Sequence, residues 1–518
     1  MNRNGEGDDS MILRAEDPNQ MFFTSRAELV RREDLVRTVD EVVNQLDLAA
    51  LYACWREGGR GFYDPAMLLK LLFFGYCDGE RSSRQLAKRI KYDIRYQYFA
   101  GTRRPSYRTL CRFRTINVDL LARYFAQMVS ICASLGLLDP SLLAIDGTKI
   151  KASAARRRTM RRKDLARLIK KYRALLSEDA ARDLAEYADE GEEDEEDGHG
   201  DDSSAKPISD QELQKRICQA LGRLAGGERE VNLTDEDARL MKTSDGGIRP
   251  AFNSQIAVER NQFIVAVDVG NNADDAAHFQ PLVRQSQQHL NRKLGKVLAD
   301  GGYYSGHNLK YIIDAGLEAY VPTGKADPGL GGRFGREDFV YDEMNDRYLC
   351  PAGEQLPYKS SQWRHGLARK IYRCSRSKCR RCQLRSACTT GKRRELWISE
   401  VWKYEREMKE KLRSTNGRAV YRRRKVLVEP VFGNLKFNLG FGRFVVRGLR
   451  KVKGEFLLMC IAHNLKKMSH LRNRWQQVPG AKTTTVPRAR SLFRRILPRI
   501  RILSAPYQHL GLKCKSAY

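Results

Sequence analysis

Two carboxylates draw attention by where they fall. Asp146 follows the apolar run Leu143-Ala144-Ile145 and precedes Gly147; Asp300 follows Val297-Leu298-Ala299 and precedes Gly301. Asp-Gly is a common turn dipeptide, so either one alone says little. Together they say more, because strands of one sheet can deliver both carboxylates to the same end. Facing carboxylates repel unless a divalent cation sits between them, which is what phosphoryl chemistry on Mg²⁺ requires. A third acidic ligand should then come from elsewhere in the fold. Glu429 is the best candidate, in YRRRKVLVEPVFGNLK (421–436). It lies seven residues from both Arg422 and Lys436, so a helix would set this carboxylate among cations along one face. The plainer reading is a surface glutamate paired with its arginine neighbours. Pro430 either begins that helix or kinks it just after Glu429.

Other acidic residues compete for the second position. Asp268, in FIVAVDVG, and Asp274 or Asp275 lie near strand ends, but none matches the ADGGY context of Asp300.

Sulfur chemistry is the other possibility. Cys374, Cys379, Cys382 and Cys388 form C-x4-C-x2-C-x5-C among arginines and lysines, a loop short enough to enclose a tetrahedral structural Zn²⁺. Cys350, in LCPAG, is a fifth thiol able to replace one of the four. Cys54, Cys77, Cys111, Cys132, Cys218 and Cys460 sit in apolar or helical contexts and read as packing residues. Disulfides are not expected in a reducing compartment.

These groups need elements to position them. Residues 21 to about 140 read as helices: Asp64-Pro65 caps MLLKLLFFGY, Ser82 or Ser83 caps RQLAKRI, and Ser106 caps YRTLCRFR with Arg108, Arg112 and Arg114. The last two helices could form a DNA-reading pair, although about fifteen residues separate them, more than a strict helix-turn-helix allows. After Leu142 the pattern changes. LLAIDGTKIKA, NSQIAVE, FIVAVDVG, KVLAD and EAYVPTG read as strands, interrupted by the helical HFQPLVRQSQQHLNRKLG and SGHNLKYIIDAG. Three strands, a helix, a strand, a helix and a strand predict an α/β fold, a ribonuclease-H-like mixed sheet with flanking helices. An all-α N-terminal domain precedes it and insertions interrupt it. The boundaries are 1–140 for an N-terminal helical DNA-binding domain, and 141–155, 238–327 and 419–470 for the core. Residues 156–237 form a helical insertion with an acidic spacer, 328–418 a cysteine-rich insertion, and 471–518 a basic tail.

The charge agrees with that organisation. The 518 residues carry 94 Lys+Arg against 63 Asp+Glu, a formal net charge of +31. Such an excess self-repels unless a polyanion neutralises it, and nucleic acid is the commonest one inside a cell. No amphipathic basic anchor helix for a membrane surface is evident. Residues 186–202 (EYADEGEEDEEDGHGDD) hold no Lys or Arg and read as a solvated spacer, while 471–518 hold no Asp or Glu and read as a basic tail with one short helix around 490–497. The opening MNRNGEGDDS is polar, no secretory signal is visible, and no apolar run approaches bilayer length, so a soluble, cytoplasmic protein is expected.

With these residues assembled, the sequence resembles the DDE-type transposases of bacterial insertion sequences. YDPAMLLKLLFFGYCDGERSSRQLAKRI and RPSYRTLCRFR resemble that group's N-terminal helical domain. IDGTKIKASAA resembles the segment of its first catalytic Asp, LADGGYYS that of the second, and YRRRKVLVEPVFGNLK with AHNLKKM that of its Glu and Tyr/Arg/Lys signature. FNSQIAVE and NNADDAAHFQPL resemble the middle of its core. The likeness runs from about 21 to 468, the acidic insertion excepted. It implies that Asp146, Asp300 and Glu429 are catalytic and hold two Mg²⁺ (or Mn²⁺) ions per site. It implies that they cleave DNA at element ends and join the freed 3′-hydroxyl to target DNA. Lys149, Tyr421, Arg424, Lys436, Arg108 and Arg112 would contact DNA. In related proteins the signature Arg often precedes the Glu by four positions; here Arg424 is five before Glu429 and Lys425 four before. Pairing two ends implies at least a homodimer on DNA, located with the nucleoid. No small-molecule substrate is expected. Two other classes compete: a non-catalytic DNA-binding descendant of a transposase, and a nuclease of the same fold that cuts without joining.

Overall fold

The computed structural model describes residues 24–55, 63–161, 210–323, 333–364 and 367–476. The acidic run at 186–202, the short helix at 490–497 and residues 162–209 of the helical insertion lie outside the described residues; the helical start expected at 156 is a single 3-10 turn (Arg156–Arg158) followed by a strand.

The described residues begin with eight helices: α1 (Arg26–Leu29), α2 (Leu35–Val43), α3 (Ala49–Trp55), α4 (Pro65–Cys77), α5 (Ser83–Tyr92), α6 (Ile94–Ala100), α7 (Tyr107–Ile116) and α8 (Val118–Ser134). Caps fix their starts. Asp64 accepts from the backbone N–H of Ala66 (3.1 Å) and Met67 (3.3 Å), Ser82 from Gln85 (3.3 Å) and Ser106 from Thr109 (3.2 Å). With Pro65 in its first turn, α4 buries almost every side chain and forms the centre of the bundle. Helix α6 fills the stretch between α5 and α7, so the two basic helices are not consecutive elements. Arg114 faces inward, 8 % exposed, and is not part of a basic surface.

The main sheet holds β1 (Leu142–Lys151), β4 (Arg239–Lys242), β5 (Ile248–Glu259), β6 (Ile264–Gly270), β7 (Lys296–Ala299) and β8 (Glu318–Tyr320). A separate hairpin, β2 (Thr159–Arg161) with β3 (Glu230–Asn232), carries α9 (Asp210–Ala225) between its strands. In the sheet β1 is central, antiparallel to β5 and parallel to β7; β8 continues parallel beyond β7, and β6 pairs antiparallel with β5. Strand β4, which carries no apolar alternation, pairs with the first residues of β5. Helices α10 (Phe279–Leu290) and α11 (Gly306–Asp314) make the two crossovers. The five strands and two helices expected from apolar patterning are therefore present in order, in a mixed α/β fold behind a helical N-terminal region.

A second sheet, β9 (Val340–Asp342), β10 (Arg347–Leu349), β11 (Gln355–Arg364), β12 (Leu367–Arg373) and β13 (Glu395–Ser399), is antiparallel and carries α12 (Arg376–Arg381) and α13 (Arg385–Cys388) between its last two strands. The chain returns through α14 (Trp402–Arg413), α15 (Thr415–Gly433) and a π-helical turn at Asn434–Asn438. It then enters α16 (Leu449–Gln476), which packs on α4, α8 and β6. Helix α16 runs six residues past 470, so the segment read as a basic tail begins in helix. Helical region and sheet share one apolar core, from Val30 to Met468. Cys77, Cys132 and Cys460 pack inside as expected, whereas Cys54, Cys111 and Cys218 are exposed.

Glu259 closes β5 and accepts from the backbone N–H of Asp139 (2.6 Å) and Phe263 (2.9 Å). Burial outweighs those bonds and pushes its carboxyl from 4.5 up to about 7. The folded state thus holds the proton more tightly than the unfolded chain. Its contribution to stability is complete below the unfolded value and lost as pH rises through about 7, a swing of up to about 3 kcal/mol. Wild type should lose stability relative to Glu259→Gln between pH 5 and 7 in denaturant titrations; parallel pH profiles would refute this.

Candidate active site

Register decides where the two aspartates meet. Ile145 of β1 lies opposite Ala299 of β7, so Asp146 and Asp300 follow side by side on neighbouring parallel strands. Asp146 Oδ1 accepts from the Gly147 N–H (2.9 Å) and Oδ2 from Arg424 Nη1 (2.7 Å). Burial raises the Asp146 pKa; Arg424 opposes this, and the charge of Asp300 adds to it. Asp300 Oδ1 accepts from the Gly302 N–H (2.8 Å), capping the turn at Gly301–Tyr303.

Behind this pair lies a polar network. The buried Tyr303 hydroxyl donates to Gln255 Oε1. Gln255 Nε2 then donates to Asn253 Oδ1 and Asp275 Oδ1, both at 2.7 Å. Asp275 Oδ1 also accepts from Asn253 Nδ2 and Lys149 Nζ, both at 2.8 Å. Asp275 Oδ2 faces the other way: a Cβ on Gly302 would meet it at 3.1 Å and Asp300 Oδ1 at 3.0 Å. A side chain at 302 would press on both carboxylate oxygens. Burial lifts the Tyr303 pKa well above its ordinary value, and the charges of Asp146, Asp275 and Asp300 all add to that. Three aspartates therefore converge on one buried phenol.

Helix α15 brings the cations. Arg424 reaches Asp146 and sits with its guanidinium 6.0 Å from the centre of the Tyr421 ring, whereas Lys425 is exposed; of the two, Arg424 meets the carboxylate. Glu429 is exposed on α15, just past the buried Val428. Pro430 lies inside the helix, neither starting nor ending it. Beyond Gly433 the π-helical turn breaks α-periodicity, so Lys436 does not continue the Glu429 face; its Nζ donates to Ser244 Oγ (3.2 Å). Arg108 and Arg112 are exposed on α7, in the N-terminal helical region. Asp268 is committed elsewhere: despite burial, bonds to His278 (2.7 Å) and the charge of Lys453 hold it down to about 2. Asp274 is exposed and caps a turn at Ala276. Among the described residues, no three His, Cys, Asp or Glu side chains stand in an arrangement ready to hold a metal.

Two family models match the chain. A transposase DDE domain covers residues 349–469, spanning β11 to β13 of the second sheet, α14, α15 and most of α16. A transposase domain (DUF772) covers residues 24–115, α1 to α7. The two matches support a DDE-type transposase of an insertion sequence. No curated protein matches it. The DDE match contains Glu429 and Arg424 but stops short of Asp146 and Asp300. A transposase of this type acts on DNA and uses a divalent metal. No helix among the described residues is long and apolar enough to cross a membrane.

Sequence reasoning treated Asp275 of this transposase only as a competitor for the Asp300 position, and missed Asn253, Gln255 and Tyr303 altogether. A signal existed: Asn253 and Gln255 are two residues apart in one strand, hence on one face.

Proposed function

We propose that this transposase cleaves DNA strands at the ends of its element and joins the freed 3′-hydroxyls to target DNA, with Asp146, Asp300 and Glu429 as its catalytic carboxylates. The observation that carries the reading is the register that sets Asp146, inside β1, beside Asp300, just past the end of the parallel β7, with Arg424 bonded to Asp146. The strand order β6-β5-β1-β7-β8, antiparallel on one side of β1 and parallel on the other, supports a ribonuclease-H-like core.

Divalent cations fit these residues. Asp146 and Asp300 raise each other's energy when both are ionised, and a cation between them relieves that repulsion. Glu429, on the helix that carries Arg424, would complete the ligand set. Bound there, Mg²⁺ or Mn²⁺ supplies Lewis acidity at the attacking and leaving oxygens. The chain's own groups do the positioning. Lys149 is held by Asp275 and Asn253 along β1, and Arg424 is held over Tyr421, so both cations present fixed donors to a phosphate. Lys436 sits further along the same segment, and Arg108 and Arg112 offer phosphate contacts from α7. Pairing of two ends calls for at least two copies on DNA.

The test incubates the full chain with labelled element ends, target DNA and Mg²⁺. Joined products are expected. Cut but unjoined ends would indicate a nuclease, and binding without cutting a regulator; either result would overturn the proposal.

A further inference from the structure

Outside the carboxylate site, five thiols line one small cavity in the cysteine-rich region: Cys350, Cys374, Cys379, Cys382 and Cys388. They come from three places in the fold. Cys350 follows β10, Cys374 follows β12, and the other three sit on or beside α12 and α13.

The five are not equivalent. Cys374 is 3 % exposed and packs among Phe339, Tyr348, Leu356, Tyr372 and Leu396, as an apolar core residue does. Cys350 has the opposite character. It begins a tight turn in which Gly353, at φ +76°, lets the Gly353 N–H reach Cys350 O (2.8 Å). The next N–H, of Glu354, donates to Cys350 Sγ at 3.3 Å. An N–H aimed at sulfur stabilises negative charge there. Cys379 and Cys382 are joined by a second turn, with the Cys382 N–H on Cys379 O (3.4 Å), which leaves both sulfurs on the cavity wall.

Charge points the same way. Lys378, Arg385 and Arg394 share that cavity wall, with Glu354 paired to Lys378 at 2.7 Å. Cations crowded around neutral thiols repel one another without return. Around four thiolates on one divalent ion, which carry a residual negative charge, they are attracted. The region also needs such a staple: its apolar core is small, and three of its strands are five residues or fewer.

We propose that Cys350, Cys379, Cys382 and Cys388 hold a structural Zn²⁺, and that Cys374 packs beneath the site without ligating. This exchanges Cys350 for Cys374 in the set read from sequence spacing. As they stand, no three sulfurs converge on a point an ion can occupy. Neutral thiols need only pack; binding releases a proton from each ligand to solvent and draws the sulfurs inward by rotation about Cα–Cβ. The ion ties the turn after β10 to α12 and α13, and so fixes the insertion that precedes α15.

The test uses the full chain purified without chelator after growth with added zinc. Metal analysis should give about one zinc per chain for wild type and for Cys374→Ala, and less than about 0.2 for Cys382→Ser and Cys350→Ser. Wild type exchanged into cobalt should show thiolate charge-transfer bands and tetrahedral ligand-field bands, a readout that does not depend on any variant folding. Zinc-free wild type, full zinc in Cys382→Ser, or loss of zinc in Cys374→Ala would each overturn the assignment.

Discussion

Asp146→Asn should lose DNA strand cleavage by about a hundredfold or more while binding element ends as well as wild type or better. Metal ligands matter at least as much as the outer-shell partners whose loss costs 10–100-fold, and here the charge itself is removed. The asparagine is the better probe than alanine. Its amide oxygen can still accept from Arg424 Nη1, now 2.7 Å from Asp146 Oδ2, so the guanidinium keeps a partner in a half-buried setting. Asp146→Ala strands that guanidinium, adding a folding cost to the catalytic one. Comparing the two separates chemistry from stability: both should fail to cleave, but only the alanine should lower the melting temperature. End binding is read by mobility shift and cleavage on labelled ends with Mg²⁺. An Asp146→Asn protein that cuts at the wild-type rate would remove Asp146 from the site.

What made Asp146 and Asp300 legible was local: an apolar strand, then a carboxylate, then glycine. Each strand reads without knowledge of its partners, and periodicity orders β1, β5, β6, β7 and β8 correctly. Asp275 was not legible in the same way. Its importance arises from register, because Lys149 lies opposite Asn253 and Gly147 opposite Gln255 only once β1 and β5 have paired. Gly147 shows how tight that pairing is: a Cβ there would meet Gln255 Nε2 at 2.2 Å. Strand β4 gave no signal either, since a four-residue edge acquires its conformation from β5. The Glu429–Lys436 face failed for a third reason. A spacing of seven assumes unbroken α-geometry, and the π-helical turn after Gly433 ends it. Charge was equally incomplete as a guide. The excess of +31 points to a polyanion, yet Lys149 and Arg424 are paired with aspartates and Arg114 is buried. A sum over residues cannot tell a cation that meets DNA from one that holds the fold.

Arg114 is the clearest case of the second kind, and removing Glu455, the buried carboxylate that pairs with Arg81 at 3.7 Å and whose charge Arg114 also feels, should be among the most damaging single changes to stability. Glu455, on α16, is 1 % exposed. It accepts from the backbone N–H of Val445 (3.2 and 3.0 Å) and Val446 (3.2 Å), which hold the loop between α15 and α16. Burial raises its pKa, and the charges of Arg114 and Arg81 pull it down. Arg81 bridges onward, donating to Gly440 O at 3.0 Å and to Arg443 O, while Arg114 donates to the Tyr76 hydroxyl (3.2 Å) and to Arg81 O (2.9 Å). One buried carboxylate thus joins α4, α7 and α16 to the loop whose Phe444 N–H donates to Lys151 O at 2.8 Å, at the far end of the strand that carries Asp146. Glu455→Ala leaves a buried guanidinium without its counter-charge and two backbone N–H groups without an acceptor, at a cost of about 3–5 kcal/mol. Glu455→Gln restores an acceptor but no charge and should fall between. The order wild type, Gln, Ala in thermal melts is the expected result. An Ala variant within about 1 kcal/mol of wild type would mean that the arginines find water instead, and that the helical region and the sheet are held together by their apolar core alone.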